Sequence, residues 1–127
     1  MARFEIYVND VARAKAYYGG LFGWTFTPLA GFESAEYQVI NGKHFGDQLG
    51  GGMMRRPDQS HAPGTAVRGG TMSFDVDDCD ASYAWALDNG GSPAMPPMDF
   101  PGIGRCAYVE DGEGNIVGLI TPSSEGA

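Results

Sequence analysis

Two stretches of the chain, Phe4-Glu-Ile-Tyr-Val-Asn-Asp-Val11 and Met72-Ser-Phe-Asp-Val-Asp-Asp-Cys79, share one pattern at an offset of 68 residues. In each, apolar and polar residues alternate up to an aspartate, and a stretch rich in alanine and aromatic residues follows. Alternation of this kind indicates a strand with one buried face, and an aspartate in that place is a common helix N-cap. Each stretch therefore predicts a strand that leads into a helix.

The similarity continues through both halves of the chain, because Gly23 matches Gly91 and Gly50 matches Gly118 at the same offset. Helices are predicted at 11–19 and 79–89, and strands at 3–8, 24–29, 35–40, 49–54, 71–76, 93–97, 105–110 and 115–121. Prolines confine the 93–97 segment to a sheet edge or an irregular stretch. The fold class is therefore α+β, with two βαβββ modules at 1–54 and 70–127. A loop at 55–69 joins them within a single domain, 1–127.

Composition and charge exclude several classes of function. The 127 residues are 43% hydrophobic and 19% charged, as expected for a soluble globular domain. The net charge of −8 disfavours nucleic-acid binding. No apolar run approaches the roughly 20 residues that cross a bilayer. The N-terminus enters a strand pattern without a signal peptide, so a cytoplasmic location is expected. Cys79 and Cys106 lack a CxxC arrangement and are expected to be ordinary thiols.

The segments Asn9–Trp24 and Gly104–Leu119 resemble the opening and closing signatures of vicinal-oxygen-chelate proteins, the glyoxalase/bleomycin resistance/dioxygenase superfamily. With Gly51-Gly52-Met53 and Val76-Asp77-Asp78, the resemblance covers almost the whole chain. It implies that the two modules form a U-shaped, partly open mixed β-sheet barrel. It also implies a homodimer, and a small-molecule site inside the sheet. Enzymes of this family hold a divalent metal there, which polarises two adjacent oxygens of the substrate.

The positions that hold this metal in the family carry no suitable donor here. By resemblance they fall on Arg3, on Thr71, on Gly118 and within Gly51–Met53. A metal site needs about three N, O or S ligands. His44 and His61 lie in loops, where a lone histidine is usually solvated. We therefore predict no metal and no other cofactor.

Candidate site residues follow from the polar face of each predicted first strand. Glu5 is the candidate catalytic base, although an internal ion pair of Arg3 with Glu5 or Asp75 is the other interpretation. Phe100 lies in a run that resembles a loop over the cavity mouth of relatives, where it acts either as a lid or as a loop anchor. Aromatic residues line the predicted pocket, although most aromatic residues are expected to be core residues. The candidate ligand-binding residues are Arg3, Tyr7, Trp24, Tyr37, Met53, Ser73, Asp75, Phe100 and Tyr108.

Three functional classes fit the sequence. The first is a small-molecule-binding protein that holds a hydrophobic or cationic molecule in its concave sheet without a metal. The second is a lyase or dioxygenase of the same superfamily that uses a divalent metal or Glu5 as general base. The third is a non-catalytic stress or interaction module.

Overall fold

The computed structural model describes residues 2–56 and 71–123, which belong to two compact units, Met1–His61 and Ala62–Ala127. The first unit contains β1 (Ala2–Val8), α1 (Val11–Phe22), β2 (Thr25–Pro28), β3 (Gln38–Asn41) and β4 (Leu49–Arg55). A 3₁₀ turn, Glu33–Ala35, lies between β2 and β3. The strand order is β1-β4-β3-β2, with β1 and β4 parallel and the other pairs antiparallel.

The second unit repeats this topology. It contains β5 (Ser73–Asp75), α2 (Cys79–Asp88), β6 (Ser92–Phe100), β7 (Gly104–Glu110) and β8 (Ile116–Pro122), in the sheet order β5-β8-β7-β6. The predicted α+β class with two βαβββ modules is thus confirmed, and each sheet is an open one of four strands. β4 runs one residue into the predicted 55–69 loop, of which residues 57–69 lie outside the described part of the chain. Neither described helix is long and apolar enough to cross a membrane.

Both helices begin at the aspartates that the sequence indicated. Asp10 and Asp78 each accept a backbone N–H three residues on, at 3.1 Å, from Arg13 and Ala81 respectively. Loss of such an N-cap costs about 1 kcal/mol. α1 ends at Gly23, whose φ of 74° is a conformation that a side chain disfavours.

The core of the first unit lies between α1 and one face of its sheet. Ile6 and Val8 are buried there, whereas Arg3, Glu5 and Tyr7 of the same strand are exposed, as the alternation predicted. The centre is an aromatic cluster in which Trp24 packs against Tyr18, Phe22 and Phe45 at ring distances of 5.4, 4.8 and 5.0 Å.

His44 belongs to this aromatic cluster. Its Nδ1 accepts a hydrogen bond from Trp24 Nε1 at 2.9 Å, and its ring packs edge-on against Phe22. The expectation of a solvated loop histidine was therefore wrong for His44, since the indole N–H needs an acceptor inside the core. His61 lies outside the described residues.

The second unit buries Phe74 and Val76 and exposes Ser73 and Asp75, again as predicted. β6 is an edge strand with register shifts at its prolines, which confirms the expectation for that segment. Both cysteines are free thiols. Burial raises the pKa of the Cys79 thiol to about 11.

The turn between β7 and β8 is held by a buried carboxylate. Asp111 is fully buried, and its Oδ1 accepts the backbone N–H groups of Glu113 at 2.7 Å and Asn115 at 3.1 Å. Its Oδ2 accepts Asn115 Nδ2 at 3.0 Å. These bonds compensate for the desolvation of the charge and fix the turn that sets the register of β8.

Candidate functional site

Each sheet has an open face, opposite its helix, and strand pairing decides which residues meet on it. In the first sheet, Arg3 lies beside Gly50 and Glu5 lies beside Gly52. In the second, Ser73 lies beside Gly118, which is also paired with Tyr108. Paired residues of neighbouring strands point to the same face, so each face carries polar residues next to a glycine.

This register corrects one sequence match. The offset of 68 residues relates Glu5 to Ser73 and Gly50 to Gly118. In the structure Ser73 pairs with Gly118, but Glu5 pairs with Gly52 and not with Gly50. A run of three glycines has no side chains from which a register can be inferred, and the match was displaced by two residues.

On the first open face, the Tyr37 hydroxyl donates a hydrogen bond to Glu5 Oε2 at 2.5 Å. The ring of Tyr37 crosses Gly52 so closely that a Cβ there would overlap the hydroxyl oxygen and lie 2.5 Å from Cζ. The Tyr37 hydroxyl is thus a hydrogen-bond partner of the Glu5 carboxylate.

Arg3 acts on the Tyr37 hydroxyl as well. The pKa of Tyr37 is raised, first by burial and then by the hydrogen bond and the negative charge of Glu5. A hydrogen bond and the positive charge of Arg3 act in the opposite direction. A carboxylate, a phenol and a guanidinium therefore share one patch of the open face.

On the second open face, the corresponding space is filled by neutral groups. A Cβ at Gly118 would overlap Ser73 Oγ and lie 2.8 Å from Cε1 of Tyr108. The two faces are thus built on the same register, but the space beside the glycine is charged in the first and neutral in the second, where the carboxylate of Asp75 lies two residues along the strand from Ser73.

The residues present do not fit the metal that the fold family implies. Gly52 and Gly118 carry no donor, and their neighbours occupy the space that a ligand side chain would need. The described residues contain no group of three or more His, Cys, Asp or Glu side chains that could hold a metal ion. His44 Nδ1 already accepts the indole N–H of Trp24.

The predicted site residues do not all reach an open face. Trp24 and Met53 are 3% and 0% exposed and pack in the helix-side core of the first unit, so we leave them out of the proposed site. Tyr7 is 42% exposed. Phe100, at the end of β6, lines a cavity of about 330 Å³ with Arg105 and Thr121, and its action as a lid stays a prediction.

Sequence reasoning missed two features of the first unit. One is the pairing of Tyr37 with Glu5, which are 32 residues apart. The other is a cavity of about 430 Å³ at the end of the sheet, lined by Arg3, Val39, Phe45, Leu49 and Gly50 among others. The one sequence signal for this cavity was the glycine run at 50–52, because a glycine in a strand often marks a place where a ligand or another part of the backbone approaches closely.

The sequence matches known proteins over most of its length. A family model, the Glyoxalase/Bleomycin resistance protein/Dioxygenase superfamily, matches residues 1–119. A putative glyoxylase of Mycobacterium bovis is 31% identical over 121 residues, which cover 95% of this chain and 43% of the relative. The anthracycline biosynthesis protein DnrV of Streptomyces peucetius is also 31% identical, over 89% of this chain and 43% of its own length. The chain thus spans less than half the length of these curated relatives.

Solved structures show the same fold. A glyoxalase family protein from Bacillus cereus superposes with a TM-score of 0.74 at 15% identity, over 96% of this chain and 93% of that one. An antibiotic-binding protein from a Streptomyces species superposes with a TM-score of 0.64 at 25% identity, over 95% and 93%. The family match and the two βαβββ modules agree, and the chain belongs to the glyoxalase/bleomycin resistance protein/dioxygenase superfamily.

Proposed function

We propose that this protein binds a small hydrophobic or cationic molecule on the open face of its sheets without a metal. The observation that carries the proposal is the Glu5–Tyr37 pair above Gly52, a carboxylate held at 2.5 Å by a phenol on an exposed sheet face. A fixed carboxylate attracts a cation, and aromatic rings add both apolar surface and cation–π attraction.

Exposed aromatic and apolar side chains lie close to this pair in the structure or along its strands. Phe32 packs 6.5 Å from the Tyr37 ring and is 55% exposed, and Leu29 and Tyr7 are also large exposed side chains. Exposed apolar groups around a polar centre are typical of ligand sites. The relatives support the ligand class, because one is named for anthracycline biosynthesis and another is described as an antibiotic-binding protein.

A second candidate is catalysis with Glu5 as general base. The geometry that supports it is the exposed position of the Glu5 carboxylate, which the Tyr37 hydroxyl holds in one orientation on the open face, where it could accept a proton from a bound molecule. The similarity to a putative glyoxylase also supports it. No step through a metal belongs to this candidate, because the donor set does not fit one.

Calorimetric titration with 2-naphthylmethylammonium, a hydrophobic cation, tests the binding function. The wild-type chain is compared with Glu5→Gln and with Asp88→Asn, an exposed acidic residue at the end of α2 that carries the same charge change. We expect saturable binding that Glu5→Gln weakens about tenfold and Asp88→Asn leaves within about twofold.

Equal weakening by both variants would mean that only net charge attracts the probe, and the proposal would fail. Catalysis has a separate readout. Turnover of a 2-oxoaldehyde that disappears in Glu5→Gln, with the circular dichroism spectrum unchanged, supports the second candidate. The homodimer and the cytoplasmic location remain predictions, and light scattering of the purified chain tests the first of them.

A further inference from the structure

We propose that Arg3 and the cavity beside it receive the oxygen-bearing end of an aromatic ligand, either an oxyanion or a carbonyl oxygen. This inference rests on the proposed function and adds a second polar contact, which would fix the orientation of the ligand. It concerns only the first unit, in which Arg3 lies both at the cavity and on the open face that carries the Glu5–Tyr37 pair.

The cavity has the size and the lining of a ligand site. Its volume of about 430 Å³ lies in the range that small-molecule pockets occupy. Val39, Phe45 and Leu49 supply apolar walls, and Arg3 and Asn41 supply polar groups at the same cavity. Gly50 contributes no side chain beside Arg3, so a flat ring can approach the backbone of β4 there, whereas the ring of Phe45 already covers Gly51.

Arg3 differs from the other arginines of this unit in its partners. Arg55 forms an ion pair with Glu36 at 3.3 Å, and Arg56 donates to the backbone carbonyl of Tyr7 at 3.0 Å. Arg13 lies 5.1 Å above the ring of Tyr17. Arg3 instead acts on the neutral hydroxyl of Tyr37. A guanidinium has five N–H donors, and one hydroxyl oxygen satisfies only a minority of them.

The spacing of the two charged residues indicates a ligand with two polar ends. Arg3 and Glu5 are two residues apart on one strand and share a face. Two residues of strand span about 6.6 Å. A ligand with an oxygen acceptor near Arg3 and a cationic group near Glu5 would satisfy both charges, with its apolar body between Gly50 and the ring of Tyr37.

Three naphthalene probes of one shape test this inference by titration. They are 2-naphthoate, 2-naphthylmethanol and 2-naphthylmethylammonium, which present an anion, a neutral hydroxyl and a cation. Wild type is compared with Arg3→Gln and with Lys43→Gln. Lys43 is an exposed cation in the loop after β3 that does not line the cavity, so its removal changes the net charge equally.

We expect wild type to bind naphthoate about tenfold more tightly than naphthylmethanol, and Arg3→Gln to abolish that preference. Lys43→Gln should change naphthoate affinity by less than about twofold. In ¹H–¹⁵N spectra of wild type, naphthoate should shift the amide signals of Val39, Leu49 and Gly50. This last readout needs no variant, so it decides the location even if Arg3→Gln folds poorly.

The inference fails if naphthoate affinity is unchanged in Arg3→Gln, if Lys43→Gln weakens it equally, or if the shifted amides lie elsewhere. These outcomes differ from failure of the proposed function. If none of the three probes binds wild type, the binding function itself is wrong. If the ammonium probe binds through Glu5 while naphthoate ignores Arg3, the proposed function stands and this inference does not.

Discussion

Gly52→Ala is the substitution that tests the geometry of the site most directly. A Cβ at this position would overlap the Tyr37 hydroxyl and lie 2.5 Å from Cζ, so the Tyr37 ring must swing away. The hydrogen bond to Glu5 is then lost. We expect Gly52→Ala to destabilise the fold and to weaken binding of a hydrophobic cation, although alanine is the better residue in most strands.

The magnitude follows from two opposing effects. A hydrogen bond to a charged group contributes about 1.5–3 kcal/mol, and the exposure of Glu5 places this one near 1.5 kcal/mol. Replacing a strand glycine by alanine stabilises by about 0.5 kcal/mol. The net loss is about 1 kcal/mol. With an m-value of about 1.5 kcal/mol per molar urea, the unfolding midpoint falls by about 0.7 M.

A double-mutant cycle measured by urea unfolding isolates the contact. In a Tyr37→Ala background, neither the hydroxyl nor Cζ remains, and Gly52→Ala should stabilise by about 0.5 kcal/mol. The coupling between the two positions is therefore about 1.5 kcal/mol. A second cycle pairs Gly52→Ala with Tyr37→Phe. Because the ring remains in Tyr37→Phe, the coupling in this cycle should lie between zero and the value for Tyr37→Ala.

Gly46→Ala is the matched control, because a Cβ there meets no atom within 4 Å. It should change the unfolding free energy by less than about 0.5 kcal/mol. If Gly52→Ala has the same effect in the wild-type and Tyr37→Ala backgrounds, the ring does not occupy this space. The account of the site would then be refuted.

Three further predictions concern the turn, the thiol and the metal. Asp111→Ala removes three hydrogen bonds from a buried turn and should cost about 3 kcal/mol, measured by urea unfolding; a loss below about 1 kcal/mol contradicts this. Because burial raises the pKa of Cys79 from 9.0 to about 11, the folded state holds this proton more tightly than the unfolded chain. Stability should fall as the pH rises from 9 to 11, and Cys79→Ala should flatten that dependence. Calorimetric titration of wild type and Gly118→Glu with Zn²⁺ should show no tight site, because Ser73 occupies the space and further donors are lacking; near-stoichiometric binding to wild type overturns the ligand assignment.

The fold was largely predictable because its signals are local. Alternation and a capping aspartate located the start of each helix correctly. α1 ends three residues beyond the predicted 11–19, because burial of Leu21 and Phe22 extends the helix past Gly19-Gly20. The third strand starts at Gln38 and not at residue 35, because a 3₁₀ turn and the left-handed Glu36, with φ 55°, precede it.

The site was less predictable because its contacts are not local. Alternation placed Glu5 on the open face, but its partner depends on where the loop before β3 delivers Tyr37. Trp24 and Met53 illustrate the opposite error. Aromatic and sulfur-containing side chains suit a pocket and a core equally well, and only the tertiary packing assigned these two to the core.

The two modules solve one packing problem with different chemistry. In both, a glycine in the last strand leaves room beside the first strand. The first module fills this room with a phenol bound to a carboxylate, and the second fills it with a serine hydroxyl and the edge of a tyrosine ring. We therefore expect discrimination by charge to respond to Glu5 variants and to be insensitive to Ser73→Ala, which removes a neutral group. A Ser73→Ala variant that changed the preference between cationic and neutral probes as strongly as Glu5→Gln would contradict this division, because the duplicated register would then carry equivalent chemistry in both halves.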